Sequence, residues 1–346
     1  MKFENVRFIG RVMALEDTVW MVLSGTGIEF SVTGTFAKIT LMADDTRSDV
    51  PENRARVAVY VDGERVADVM LDATEQTVTA FVAEREEKHV VRVIKLSESP
   101  MSTCGISGIV ADGTITPTEN RRHLIEFIGD SITCGYGVDD EEKDHHFATG
   151  TEDVTRAYAY KTAQLLNADY SMVSFSGYGI VSGYSEDGDK VANQLVPDYY
   201  EKFGFSRGTY KEKYRPQEVL WDFTKRQPDL VVINLGTNDM SYVRDNAERK
   251  EEYIEGYVRF IKTIRMRNPQ AMILCVLGIM GTALCPAMED AVERYRKETG
   301  DAMVCSMGFT EQLPEDGLVA DWHPTEVTHA KAAGILAEEI KTIMGW

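Results

Sequence analysis

The chain has 346 residues, 43% of them hydrophobic, which is enough to bury large cores and, on length, to make two domains. Its formal net charge of -19 argues against binding a nucleic-acid backbone, which requires clustered Lys and Arg. Five cysteines (Cys104, Cys134, Cys275, Cys285, Cys305) form no CxxC pair or metal-finger spacing, the stretch from Met1 lacks the apolar core of a signal peptide, and no run approaches the ~18 apolar residues of a membrane span; reduced thiols and a cytoplasmic, membrane-free protein are expected.

The first third reads as β structure. Segments 28–32 and 38–42 alternate apolar and polar residues, 56–61 runs into the hairpin signal Asp62-Gly63 before 65–71, and 76–82 and 89–96 continue the pattern. No helical stretch of comparable strength interrupts them. About eight short strands divided by turn residues predict an antiparallel β-sandwich, a jelly roll, over residues 1–115. Gly105, Gly108, Gly113 and Pro117 then mark a connecting stretch.

From residue 122 the pattern alternates. Near-continuous apolar runs at 125–128, 170–175, 229–234 and 271–277 are what central parallel strands show. Helical patterns near 155–167, 248–267, 286–299 and 325–344 lie between and after them, punctuated by Pro228, Pro269 and Gly300. Residues 122–346 therefore predict a doubly wound α/β domain, whose ligand site belongs beyond the carboxyl ends of its strands.

Four turn segments at those strand ends carry chemistry. Gly129-Asp130-Ser131 ends the first run and opens a helix, where a serine meets free backbone N–H groups and a dipole favourable to developing negative charge. Ser174-Phe-Ser-Gly177-Tyr-Gly179 follows the second, and the Gly177 N–H is positioned to approach a ligand closely; a turn without function is the competing reading. A dinucleotide loop is disfavoured there, because the spacing is G-x-G-x-x-x-G and no acidic strand end follows about 20 residues on. Gly236-Thr-Asn238-Asp239 follows the third run; the Asn238 amide is a candidate oxyanion donor, with a helix cap as the alternative. Asp321-Trp322-His323-Pro324 places an imidazole just before a helix start, a candidate general base for the serine. His329, further along, reads as an internal packing or hydrogen-bonding residue.

In this order and at these strand ends, the four segments resemble the SGNH hydrolase superfamily: Gly129-Asp-Ser131 for its serine block, Gly177 for its glycine block, Gly236-Thr-Asn238-Asp for its asparagine block and His323-Pro for its histidine block. The usual aspartate three positions before the histidine is here Ala320, and the acidic residue is Asp321, two positions before. That departure, joined to an N-terminal β-sandwich, is similar to carbohydrate esterase family 2. The resemblance implies a flavodoxin-like three-layer catalytic domain and removal of acetyl groups from plant polysaccharide-derived sugars such as xylan and glucomannan. Some members use a serine–histidine dyad whose histidine is oriented by a backbone carbonyl, so either the Asp321 side chain or its carbonyl is the expected orienting group.

The mechanism expected is attack by Ser131, with His323 as base, Asp321 as its partner, and an oxyanion hole of Ser131, Gly177 and Asn238. The motif is not G-x-S-x-G, since Thr133 replaces the second glycine, so an α/β-hydrolase elbow is not expected. Trp322 is a candidate sugar-stacking residue, with core packing as the alternative. The acidic and histidine-rich loop at 139–146 reads as solvated charge lining the cleft, and no metal or cofactor is expected. Tyr199-Tyr200 and Phe203-Gly-Phe205, in a long insertion, are expected in a sugar site or a subunit contact. An acetylated oligosaccharide or polysaccharide is the expected partner, and a homo-oligomer is left open. The competing functions are a lipase, thioesterase or acyltransferase on the same fold, and a non-catalytic carbohydrate-binding protein.

Overall fold

The computed structural model describes residues 3–45 and 50–346; Met1 and Lys2, where the stretch read for a leader begins, lie outside the described residues. The chain forms two compact units. One is Met1–Arg121 with Ala148–Val154 and Lys202–Trp221, and the other is Arg122–Phe147, Thr155–Glu201 and Asp222–Trp346. The sequence-based division is a single cut, whereas here two later segments return to the first unit.

That unit is built from β1 (Arg7–Ile9), β2 (Val12–Leu15), β3 (Thr18–Met21), β4 (Gly27–Ala43), β5 (Arg56–Val61), β6 (Glu64–Met70), β7 (Glu75–Lys95), β8 (Cys104–Ala111) and β9 (Thr114–Pro117). They form one antiparallel sheet in the order β2-β3-β8-β4-β7-β5-β6, with β1 and β9 also paired to β4. Along β4 the fully buried apolar residues are Ile28, Phe30 and Val32, then Ala37, Ile39 and Leu41, so the parity of the inward face changes. The change falls at a shift in the β4–β7 register between Gly34 and Phe36. A bulge adds the one residue that returns the same face to the core. All six side chains join a single apolar cluster with Val57, Val59, Val91, Val93 and Ile106. The sandwich is therefore one sheet folded around one core. Periodicity broken at the bulge makes the single strand β4 read as two.

The returning segment 202–221 packs on Trp20, which lies outside that cluster, between Val19 and Met21, which belong to it. Trp20, fully buried, is stacked on Tyr210 with ring centroids 5.2 Å apart, and meets Phe203 edge-on at 5.2 Å. Tyr200, in the other unit, is buried and donates its hydroxyl to Glu126 at 2.9 Å. Tyr200 and Phe203 are thus packing residues. The sugar-site expectation fails for them, because each side chain is enclosed by its own unit.

The second unit carries the chemistry. Its elements are β10 (Leu124–Gly129), α1 (Ser131–Cys134), α2 (Tyr158–Leu165), β11 (Asp169–Ser174), α3 (Pro197–Tyr200), β12 (Leu230–Asn234), α4 (Thr237–Val243), α5 (Ala247–Arg267), β13 (Met272–Ile279), α6 (Cys285–Thr299), β14 (Val304–Glu311), β15 (Leu318–Val319), β16 (His323–Pro324) and α7 (Glu326–Met344). Five strands run parallel in the order β11-β10-β12-β13-β14. Every residue of β10, β11 and β12 is buried, so helices cover both faces; α2 pairs with α7 and α5 with α6. Strand β14 escapes the apolar-run criterion because only Val304 and Phe309 are buried in it, as befits an edge. Among the described residues no helix is long and apolar enough to cross a membrane.

The chain passes from β10 to β11 on one side, then to β12 on the other. This reversal is a switch point, which opens a crevice at the strands' carboxyl ends. The loops after β11 and β12 flank it and are tied together by Asp239 on α4. Its carboxylate accepts from the backbone N–H groups of Ile180 (3.0 Å), Val181 (2.7 Å) and Ser182 (3.1 Å). Each buried N–H left unpaired costs about 1–3 kcal/mol. Asp239→Ala is accordingly expected to lower the unfolding free energy by on the order of 3 kcal/mol in urea titrations, and Asp239→Asn, which keeps an oxygen acceptor, by less. An alanine variant with the wild-type midpoint would show that the loop holds its shape without this clamp.

Candidate active site

Gly129 ends β10 where a side chain would not fit: a Cβ there would lie 2.1 Å from Thr133 Oγ1. The chain turns and Asp130 caps α1, its Oδ1 accepting from the Ile132 N–H at 3.1 Å. Ser131 is therefore the first helical residue at the end of a central strand. Helix α1 is a single four-residue turn, so the favourable dipole expected from the sequence is small. What remains is the unpaired N–H of a first turn. The Ser131 N–H has no acceptor among the described residues.

His323 reaches the same point from the other end of the chain. It lies on β16, whose short antiparallel pairing with β15 matches Val319 to His323. Its Nε2 is 2.8 Å from Ser131 Oγ, and its Nδ1 is 3.0 Å from the Ala320 carbonyl oxygen. A carbonyl only accepts, so Nδ1 carries the proton and Nε2 offers its lone pair to the serine hydroxyl. Ser131 and His323 are buried but not sealed, 6% and 9% exposed. Burial pulls the His323 pKa down to about 4, against the Ala320 carbonyl and the Asp321 charge, which favour the imidazolium. The imidazole is neutral at neutral pH.

Asp321 does not complete a triad. Its Oδ2 accepts from the Tyr136 hydroxyl at 2.5 Å, and its Oδ1 pairs with His146 Nδ1 at 2.9 Å. The group on His323 Nδ1 is the backbone carbonyl of Ala320, one residue earlier than either expected oxygen of Asp321. The reason is local backbone geometry. Asp321 and Trp322 both adopt positive φ, 49° and 64°, which turns the Asp321 side chain away from the imidazole. The loop is held in that conformation by Asp321 N–H on the His145 carbonyl (2.9 Å) and by the Gln312 amide on the Trp322 carbonyl (2.9 Å).

The flanking loops bring the other expected residues alongside. Asn238 lies in the first turn of α4, but Gly236 occupies the capping position and Asn238 makes no cap bond. Its Nδ2 donates to the Tyr178 carbonyl at 2.8 Å and reaches Asp130 Oδ2 at 3.4 Å. The first bond fixes the amide plane. The second is long and weak, which leaves that hydrogen the one open to a ligand. Gly177, adjacent to Tyr178, has φ of +81°, a conformation that favours glycine, and its N–H has no acceptor among the described residues. Burial pushes the Asp130 carboxyl up to about 7 and that of Asp239 to about 6, the latter against three N–H groups that favour the carboxylate.

Trp322 is 53% exposed, with Lys143 Nζ 4.0 Å from its ring centroid, so it is not packed beneath the loop. In the 139–146 loop, His145 pairs with Asp140 at 2.9 Å and His146 with Asp321. His329 is fully buried and accepts from the Tyr158 N–H at 3.2 Å. Two residues escape sequence reading altogether. Tyr136 lies flat on His323, with ring centroids 3.9 Å apart and planes 19° off parallel, and nothing in its periodicity marks it; its only signal is an aromatic between Gly135 and Gly137 close after the serine. The Ala320 carbonyl has no side-chain signal at all.

Comparison with known proteins matches this architecture. Residues 127–331 match the GDSL-like lipase/acylhydrolase family, and residues 8–119 match the carbohydrate esterase 2 N-terminal domain. The chain is similar to the cellulase/esterase CelE of Acetivibrio thermocellus, at 32% identity over 329 residues, covering 93% of this chain and 37% of CelE. It therefore spans little more than a third of that relative. An acetylxylan esterase/glucomannan deacetylase of Cellvibrio japonicus is 29% identical over 84% of this chain and 77% of its own length. Among solved structures, the acetyl xylan esterase Est2A from the rumen bacterium Butyrivibrio proteoclasticus superimposes with a TM-score of 0.89 at 26% identity, covering 100% of this chain and 97% of that one. With a hydroxyl and a neutral imidazole 2.8 Å apart at the switch point of a parallel sheet, the chain belongs to the GDSL-like lipase/acylhydrolase family and carries a carbohydrate esterase 2 N-terminal domain.

Proposed function

We propose that the protein is a carbohydrate O-acetyl esterase acting on sugars derived from plant polysaccharides such as xylan and glucomannan, through an acetyl-enzyme on Ser131. The observation that carries this reading is the 2.8 Å approach of His323 Nε2 to Ser131 Oγ, with Nδ1 held on the Ala320 carbonyl. The substrate class is supported by the N-terminal domain match and by the relatives' activities, since a fold of this type does not choose a substrate.

As Ser131 Oγ attacks the acetyl carbonyl, its proton moves to His323 Nε2. The tetrahedral oxygen takes hydrogen bonds from the N–H groups of Ser131 and Gly177 and from the Asn238 amide. The intermediate collapses, the acetyl–sugar C–O bond breaks, and His323 returns the proton to the departing sugar oxygen. Water, deprotonated by His323, then attacks the acetyl-enzyme and releases acetate, with the proton restored to Ser131. Throughout, the Ala320 carbonyl keeps the ring in one tautomer and accepts the Nδ1–H that becomes more acidic in the imidazolium. Trp322, half-exposed beside the base, offers an aromatic face to a sugar ring.

Ser131→Ala is expected to fold normally by circular dichroism and to lose on the order of 10⁴-fold or more of kcat toward an aryl acetate. Activity close to wild type in that variant would sink the nucleophile assignment. Because His323 must be neutral to act and burial holds its pKa down to about 4, kcat/KM should stay level from pH 7 to mildly acidic conditions and fall only as pH approaches 4. An acid limb near 6.5, the ordinary histidine value, would mean that the imidazole is solvated in the working enzyme. In a series of aryl esters of increasing acyl length, acetate should be preferred; a preference for long chains would point to a lipase or thioesterase instead.

A further inference from the structure

The carboxylate that a catalytic triad would place on the histidine lies one ring away from it. Tyr136 stacks on His323 at 3.9 Å, and its hydroxyl donates to Asp321 Oδ2 at 2.5 Å. The arrangement is held from several sides: Phe147 packs against Tyr136 with centroids 5.0 Å apart, His146 holds the second Asp321 oxygen, and the positive φ of Asp321 and Trp322 aims the carboxylate at the phenol. Two consecutive non-glycine residues in the left-handed region persist only where surrounding contacts enforce them.

We propose that Tyr136 and Asp321 are a positioning pair through which a carboxylate acts on His323 by way of an aromatic face, while the Ala320 carbonyl occupies Nδ1. A phenol donating to a carboxylate gains electron density on its oxygen and ring. An imidazolium against the face of such a ring is stabilised as a cation–π pair, and more so where water is excluded. The ring also fixes the plane of the imidazole, so that Nε2 stays on the line to Ser131. This deepens the esterase reading, on which the role of His323 as base rests.

Other ionisable groups facing this assembly do not substitute for it. His329, from α7, is neutral over the working range because burial pulls its pKa down to about 3. His146 is bonded to Asp321, and Lys143 lies over Trp322. The hydrogen bonds from Tyr136 and His146 hold the Asp321 carboxyl below its ordinary value despite partial burial, so it is the carboxylate across the same range.

The test compares Tyr136→Phe, Asp321→Asn and the double variant by two readouts: NMR titration of the His323 ring in histidine-labelled protein, and the pH profile of aryl acetate hydrolysis. Each single change is expected to lower the His323 pKa by about half a unit to one unit and kcat by about three- to tenfold, with KM little changed. The double variant should match Asp321→Asn, because Tyr136→Phe removes only the link through the ring, whereas Asp321→Asn removes that link together with the charge itself. Tyr136→Leu, which removes the ring, should lose more than Tyr136→Phe, which keeps the stack. Additive effects in the double variant would overturn the pair and assign a direct through-space action to Asp321, and an unmoved pKa in both singles would reduce Tyr136 to packing. The NMR titration needs no turnover, so a protein that failed to hydrolyse acetates would defeat the esterase reading while leaving the pair open to judgement.

Discussion

Everything in the site depends on one proton being on the right nitrogen of His323. The imidazole has two tautomers, and only the one with Nδ1 protonated leaves Nε2 free to receive the Ser131 hydroxyl proton. The Ala320 carbonyl selects it, because a carbonyl oxygen can accept a hydrogen bond and cannot give one. A backbone acceptor does this without introducing a charge beside the ring. The consequence is electrostatic: with no carboxylate bonded to it, the buried imidazole is driven toward its neutral form.

The strand arrangement explains why residues 192 positions apart in sequence meet at one atom pair. Parallel strands deliver their following turns to the same edge of the sheet, and the reversal between β10 and β12 opens that edge. Ser131 follows β10, Gly177 follows β11 and Asn238 follows β12, so three turns from adjacent strands converge without any long-range feature in the chain beyond strand order. The histidine comes from a different device, the two-residue pairing of β15 with β16. Buried carboxylates then set the finer positions. Asp130 caps the turn bearing Ser131, and Asp239 gathers three N–H groups of the loop after β11.

Much of this was legible in the residues. The apolar runs of β10 to β13 and the periodicities of α5, α6 and α7 announced the parallel sheet and its helices. The Gly-Asp-Ser, Gly-Thr-Asn and His-Pro segments marked the turns that the structure brings together. The failures have separate causes. Strand β4 reads as two because a bulge reverses its parity, and β14 gives no apolar run because few of its side chains are buried at the sheet edge. Tyr200 and Phe203 read as part of a sugar site or a subunit contact, since an insertion carries no periodicity to show that its side chains are enclosed. The family resemblance offers either the side chain or the carbonyl of Asp321 to His323, but two positive φ values turn the carboxylate toward Tyr136 and leave the Ala320 carbonyl on the ring.

The division between these cases follows from the range of the forces involved. Periodic burial, turn chemistry and the residue types that chemistry requires are written locally, so the order of strands and the candidate nucleophile, base and oxyanion donors are visible along the chain. The partner on each nitrogen and oxygen is not local. A backbone carbonyl has no residue identity, and whether a carboxylate faces an imidazole or a phenol depends on a few dihedral angles held by contacts from elsewhere in the unit. Ala320 and Tyr136 became part of the site only once folding had closed the loop around His323.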